Sequence, residues 1–124
     1  MSAKNEAADT LLFQLRLAGV PAPTLEYQFH ENRKWKIDML WRDANLAVEI
    51  DGGNHMAAIN QRTGKAFAVG RHTTSADYEK LNEIVLYGYI LLRFTPEIVK
   101  SGMALAMIER ALGIVKEIDD GLPF

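Results

Sequence analysis

An α/β fold with element order α-β-β-β-α-β-α is predicted for this chain by three features. The amino-terminal stretch repeats its leucines at helical spacing, three extended apolar stretches follow with turn-like joins, and the second half alternates helical and strand-like patterns. At 124 residues and 48% hydrophobic, the whole of residues 1–124 fits one domain.

Residues 2–17 read as an amphipathic helix because Leu11, Leu12, Leu15 and Ala18 recur on one face, with Gly19 as the stop and "VPAP" breaking the pattern. Extended segments are expected at 25–30, 34–41 and 46–51, joined by "ENR" and "RDAN". Residues 52–74 hold four glycines and no clean period, so they read as a long irregular loop. A helix over 76–87 follows, capped by Thr74 or Ser75 and ended by Gly88. "YILLRF" reads as a buried strand, Thr95 and Pro96 open a short turn, and residues 102–118 form a last helix with Leu105, Ile108, Leu112 and Val115 on one face.

With no cysteine, disulfides, thiolate metal sites and thiol nucleophiles are excluded, and a cytoplasmic protein is expected. The amino terminus lacks the apolar core of a signal peptide, and no run approaches the roughly 18 apolar residues of a membrane helix. The net charge of −2 is unevenly spread: residues 1–32 carry −2, residues 33–72 carry +3 and residues 73–124 carry −3. The positive third also holds the most unusual stretch, "NLAVEIDGGNH", where Glu49 and Asp51 interrupt an apolar strand.

If "RDAN" is a four-residue hairpin loop, paired residue numbers sum to 87. Trp41 then faces Leu46, Asp38 faces Glu49 and Lys36 faces Asp51. Alternation makes Ile37, Met39, Trp41, Leu46, Val48 and Ile50 one apolar face and puts Lys36, Asp38, Glu49 and Asp51 on the other. Directly opposed carboxylates sit roughly 4.5–5.5 Å apart at Cβ and repel unless something compensates. A divalent cation would compensate, since hard cations favour carboxylate oxygens; a solvated face with Lys36 neutralising Asp51 explains the pattern equally.

These residues resemble the PD-(D/E)xK, or restriction-endonuclease-like, nucleases. The resemblance is carried by Ile37-Asp38, by Glu49-Ile50-Asp51 with Gly52, Gly53 and His55 after it, and by the following helix and "GYILLRF" strand. It covers about residues 24–112. More narrowly, the order is similar to small phage and prophage endonuclease-like proteins and to very-short-patch repair endonucleases. The chain departs from the family at Asp51, where a lysine is usual, and at Ile37, where proline is usual.

The resemblance implies a restriction-endonuclease-like core with a mixed central sheet flanked by helices. It also implies Mg²⁺-dependent hydrolysis of DNA phosphodiesters, with Mn²⁺ substituting. Asp38, Glu49 and the main-chain carbonyl of Ile50 would hold the metal, and Asp51 or a nearby lysine would handle protons. Lys36 is the favoured replacement for the motif lysine, with Lys80 the second choice, and His55 is a further proton-transfer or phosphate candidate. Glu26 and Asp77 would support the site from behind; for Asp77 and Lys80, at i,i+3, a surface ion pair is the simpler account. Arg33, Lys34, Arg62, Lys65, Arg71 and His72 are expected phosphate contacts, and the 52–74 loop is expected to order on DNA through Arg62, Lys65 and Arg71. DNA is thus the expected partner, with no membrane and with a homodimer as one arrangement, in a bacterial or phage-infected cell. The alternative is a catalytically inactive nucleic-acid-binding module of the same fold.

Overall fold

A computed structural model describes residues 3–52, 56–59, 62–64, 66–69 and 74–114. Helix α1 (Ala3–Leu17) is followed by strands β1 (Thr24–Gln28), β2 (Lys36–Trp41), β3 (Leu46–Ile50), β4 (Met56–Ile59) and β5 (Ala66–Val69). Helix α2 (Ser75–Leu86), strand β6 (Ile90–Phe94) and helices α3 (Pro96–Lys100) and α4 (Met103–Ala111) complete the described elements. Four strands form one mixed sheet in the order β1-β2-β3-β6, with β1, β2 and β3 antiparallel in turn and β6 parallel to β3. A parallel pair needs a long crossover, and α2 lies within it.

The β2–β3 hairpin has the register that the loop length predicts, with Met39 opposite Val48, Leu40 opposite Ala47 and Trp41 opposite Leu46. Its loop is a 3₁₀ turn over Arg42–Ala44, closed by Asn45 in the left-handed region at φ 49°. Asparagine tolerates that conformation better than most side chains, which fits the tight reversal.

Two apolar clusters contain the buried core. In one, Met39, Trp41, Leu46, Val48 and Ile50 pack with Ala7, Leu11 and Leu15 of α1, Val99 of α3 and Ile108 of α4. In the other, Leu40 and Ala47 pack with Phe29, Ile37 and Ile84 of α2. Fully burying a single Leu or Ile contributes roughly 1.5–3 kcal/mol, so the sheet is held from both sides. Gln14 fixes α1 against α3 by donating through Nε2 to the Val99 carbonyl at 3.0 Å.

Ile37 departs from the expected apolar face: it belongs with Leu40 and Ala47, not with Met39 and Trp41. The change falls at Asp38, where the β2–β3 ladder ends and side chains take its place. Tyr27 pairs with Ile37 and Leu25 with Met39, while Glu26, opposite Asp38, takes the left-handed conformation at φ 50°. The β1–β2 register is the same on both sides of this point, and strict alternation on β2 is interrupted between Ile37 and Met39. The segment expected to be an irregular loop over 52–74 contains an antiparallel β4–β5 pair, with Met56 opposite Val69 and Ile59 opposite Ala66. The last helix is also shorter than its periodicity suggests. It stops at Ala111, and Gly113, at φ 70°, supplies the left-handed residue that ends it. The expected positions 115–118 lie outside the described residues.

Candidate functional site

Asp38 and Glu49 meet where the β2–β3 ladder opens. Beyond the Met39–Val48 pair, side chains replace the backbone as hydrogen-bond partners. The Ile50 N–H donates to Asp38 Oδ2 at 2.8 Å, and the Asp38 N–H donates to Glu49 Oε2 at 2.8 Å. Each carboxylate thus spends one oxygen on the main chain of the opposing strand. The pair is buried, Asp38 at 8% and Glu49 at 9% exposure, so it does not sit on a solvated face. Unpaired carboxylates at that depth would cost several kcal/mol each, so they require counter-charges.

Two lysines supply them. Lys4, on α1, places Nζ 3.0 Å from Asp38 Oδ1. Lys80, on α2, donates to Glu49 Oε1 at 2.5 Å. Burial raises the Glu49 pKa above the ordinary carboxylate value and the Asp38 charge adds to it, with Lys80 working in the opposite direction. For Lys4, burial works against the charge, but Asp38 first and then Glu49 and Glu26 outweigh it and raise its pKa.

Helix α2 is set so that Lys80 can reach. Thr74 caps it, accepting from the Asp77 N–H at 3.2 Å, while Asp77 Oδ2 accepts from the Thr74 N–H at 2.9 Å. Asp77 therefore anchors the first turn of the helix that carries Lys80. A cavity of about 110 Å³ opens beside the pair, and its lining includes Lys4, Glu49, Asp51, Asp77, Lys80 and Arg93.

The site differs from its sequence expectation at Lys36. It was expected opposite Asp51 and beside Asp38, as the replacement for the missing motif lysine. Instead it is exposed at the start of β2, paired with Gln28, because the β2–β3 ladder stops short of it. Asp51 turns to β6: its N–H donates to the Phe94 carbonyl at 2.8 Å, and Oδ2 lies 3.6 Å from Arg93. The second choice, Lys80, is the lysine at the acids. Glu26 is exposed, takes the left-handed conformation at φ 50°, and acts on the site through its charge on Lys4.

Of the expected phosphate contacts, Arg33, Lys34 and Arg62, which are among the described residues, do not line the cavity. Arg33 lies 3.9 Å above the Trp35 ring and pairs with Glu79 at 3.2 Å, and Lys34 and Arg62 are exposed. His55, Lys65, Arg71 and His72 lie outside the described residues. Lys4 and Arg93 were not anticipated. A charge inside "YILLRF" was a signal for Arg93, which the parallel pairing sets beside Glu49. Nothing local marks Lys4, which reaches Asp38 only through the packing of α1.

The donor set suits a hard divalent cation. Asp38 Oδ1 and Glu49 Oε1 are the oxygens not committed to backbone, and strand geometry directs the Ile50 carbonyl to the same side of β3 as the Ile50 N–H that meets Asp38. Among the described residues, no group of three or more His, Asp or Glu side chains is arranged around one ion position. A cation would therefore take two carboxylates, a carbonyl and water, an arrangement Mg²⁺ favours. Among the described residues, no helix is long and apolar enough to cross a membrane. No family model, curated protein or solved structure matches the chain.

Proposed function

We propose that this protein is a Mg²⁺-dependent DNA endonuclease with a restriction-endonuclease-like core. The observation that carries the reading is the buried Asp38–Glu49 pair, each acid fixed by the other strand and each offering one oxygen toward a lysine. The mixed β1-β2-β3-β6 sheet with α2 in the crossover supports it.

Asp38, Glu49 and the Ile50 carbonyl would hold the metal, which when bound supplies an acidified water and neutralises charge on the phosphate. The chain's own residues do the rest. Lys80, held by Glu49 and lining the cavity, keeps a positive charge beside the scissile phosphate and steadies the attacking oxygen. Asp51, half exposed and loosely paired with Arg93, is placed to accept a proton at the cavity mouth. Arg93 contributes charge for the phosphodiester backbone.

A second reading, an inactive nucleic-acid-binding module, draws on one specific observation: Lys4 and Lys80 already neutralise both acids. The readings part when labelled linear, nicked, forked and four-way DNA are incubated with the protein in Mg²⁺ or EDTA. Cleavage in Mg²⁺ alone, lost in Asp38→Asn, is expected. Binding without cleavage on every substrate would favour the module.

A further inference from the structure

We infer that Lys4 is an exchangeable counter-ion: it holds the metal-facing oxygen of Asp38 in the metal-free protein, and a divalent cation must displace it to bind. The inference rests on the proposed metal site and concerns what the chain does there before the ion arrives.

Asp38 has two oxygens and the fold commits one. Oδ2 accepts from the Ile50 N–H, leaving Oδ1 for a cation, and the Lys4 ammonium occupies that position at 3.0 Å. A dication at Oδ1 meets the Lys4 ammonium at the same oxygen, and the repulsion between the two cations favours release of the lysine. The two lysines of the site differ in how firmly they are held. Lys80 is 20% exposed on a helix with a capping box, whose Ile84 is fully buried. Lys4 is 39% exposed on the first turn of α1, where helix ends open most readily. Lys4 is thus the cation that yields. It also lines the cavity, so the expelled ammonium has solvent-accessible space and a second set of anions to face.

The charge balance explains why such a residue is useful. Two buried carboxylates side by side repel, and burial already disfavours the charged form of Glu49. The Lys4 ammonium supplies a counter-charge at Asp38 Oδ1 until a dication replaces it. The same pairing must weaken metal binding, because apparent affinity falls by the fraction of molecules in which the position is free.

Titrating Mn²⁺ into wild type, Lys4→Met, Lys4→Gln and Lys4→Arg, with free Mn²⁺ read by electron paramagnetic resonance, tests this. Lys4→Met and Lys4→Gln should bind about tenfold more tightly or better, and Lys4→Arg, which keeps the cation, should bind like wild type. Binding by the two neutral variants with none by wild type would support the inference most strongly. Equal or weaker binding by folded Lys4→Met and Lys4→Gln, while wild type binds, would overturn the exchange and leave the metal site standing. No binding by any of the four would overturn both. Circular dichroism checks folding, and a Lys4→Met chain that folds only with Mn²⁺ would count for the exchange. One that stays unfolded with Mn²⁺, with Lys4→Gln folded but no tighter than wild type, would count against it.

Discussion

Asp38 and Glu49 each complete the other's strand. The Asp38 carboxylate accepts from the Ile50 N–H, next to Glu49, and the Glu49 carboxylate accepts from the Asp38 N–H, both at 2.8 Å. The acids are therefore structural links as well as candidate ligands. Their orientation is fixed at both ends, which is the preorganisation that electrostatic catalysis needs.

Removing Asp38 should separate the two roles. Asp38→Ala leaves a buried Ile50 N–H without its acceptor, which costs about 1–3 kcal/mol. Asp38→Asn keeps an oxygen for that N–H and should lose less than about 1 kcal/mol, while cleavage falls below detection in both. Urea titrations with equal slopes will measure the difference. Equal loss in the two variants would mean that the Ile50 bond adds nothing to stability.

Lys80 and Lys36 should diverge in cleavage. Lys80 contacts Glu49 inside the site, whereas Lys36 is exposed across from Gln28. Lys80→Met is expected to slow cleavage by roughly 10²-fold or more, and Lys36→Met to cleave as wild type does. Single-turnover rates on the preferred substrate decide it; a slow Lys36→Met with a normal Lys80→Met would reverse the assignment.

The contrast between these lysines also shows where sequence stopped being informative. The hairpin register follows from a four-residue loop, a local property; it holds from Trp41–Leu46 to Met39–Val48, and just beyond it Asp38 and Glu49 meet through side-chain hydrogen bonds. Extending that register two residues further gave Lys36 to Asp51, and there it failed. The ladder opens at the buried acids, whose side chains outcompete the neighbouring main chain for its hydrogen bonds. No count of spacings contains that competition. Ile37 was misplaced for a related reason: it lies just beyond the point where the ladder opens, and strict alternation does not hold across Asp38. Lys4 is more than thirty residues from Asp38 in sequence, so only the packing of α1 brings them together. The acids were legible because burying charge on a strand is costly and conspicuous. Their counter-charges were not, because surface lysines are common and any of them could have been the partner.

Glu26 provides a stability test that involves no burial, since its side chain is exposed. A left-handed residue other than glycine costs about 1–2 kcal/mol, and a β-branched one costs more. Glycine relieves that strain but gains freedom in the unfolded chain, worth about 0.5–1 kcal/mol. Glu26→Gly should therefore match wild type or exceed it slightly, and Glu26→Val should be less stable by about 2 kcal/mol or more. The order Gly, Glu, Val in denaturation midpoints is the expected result. A valine variant as stable as wild type would mean that β1 can straighten opposite Asp38.

The raised pKa of Glu49 makes a statement about pH. Burial, and after it the charge of Asp38, holds this carboxyl above the ordinary carboxylate value. The folded protein then keeps the proton more tightly than the unfolded chain does. Stability from this group is full below the unfolded pKa, about 4.3, and is lost as pH rises through the raised folded value. Above that raised value Glu49 weighs against folding even with Lys80 in place, because Lys80 is already among the influences that leave the shift upward. Glu49→Gln keeps an oxygen for the Asp38 N–H and carries no charge at any pH. It should therefore unfold at a higher temperature than wild type at about pH 7–8, with the gap narrowing toward about pH 4, while cleavage is abolished. Thermal unfolding of both proteins across this range measures the gap directly. A gap that does not change with pH would show that Glu49 titrates alike in the folded and unfolded chains, and that the buried pair carries no electrostatic strain for a metal to relieve.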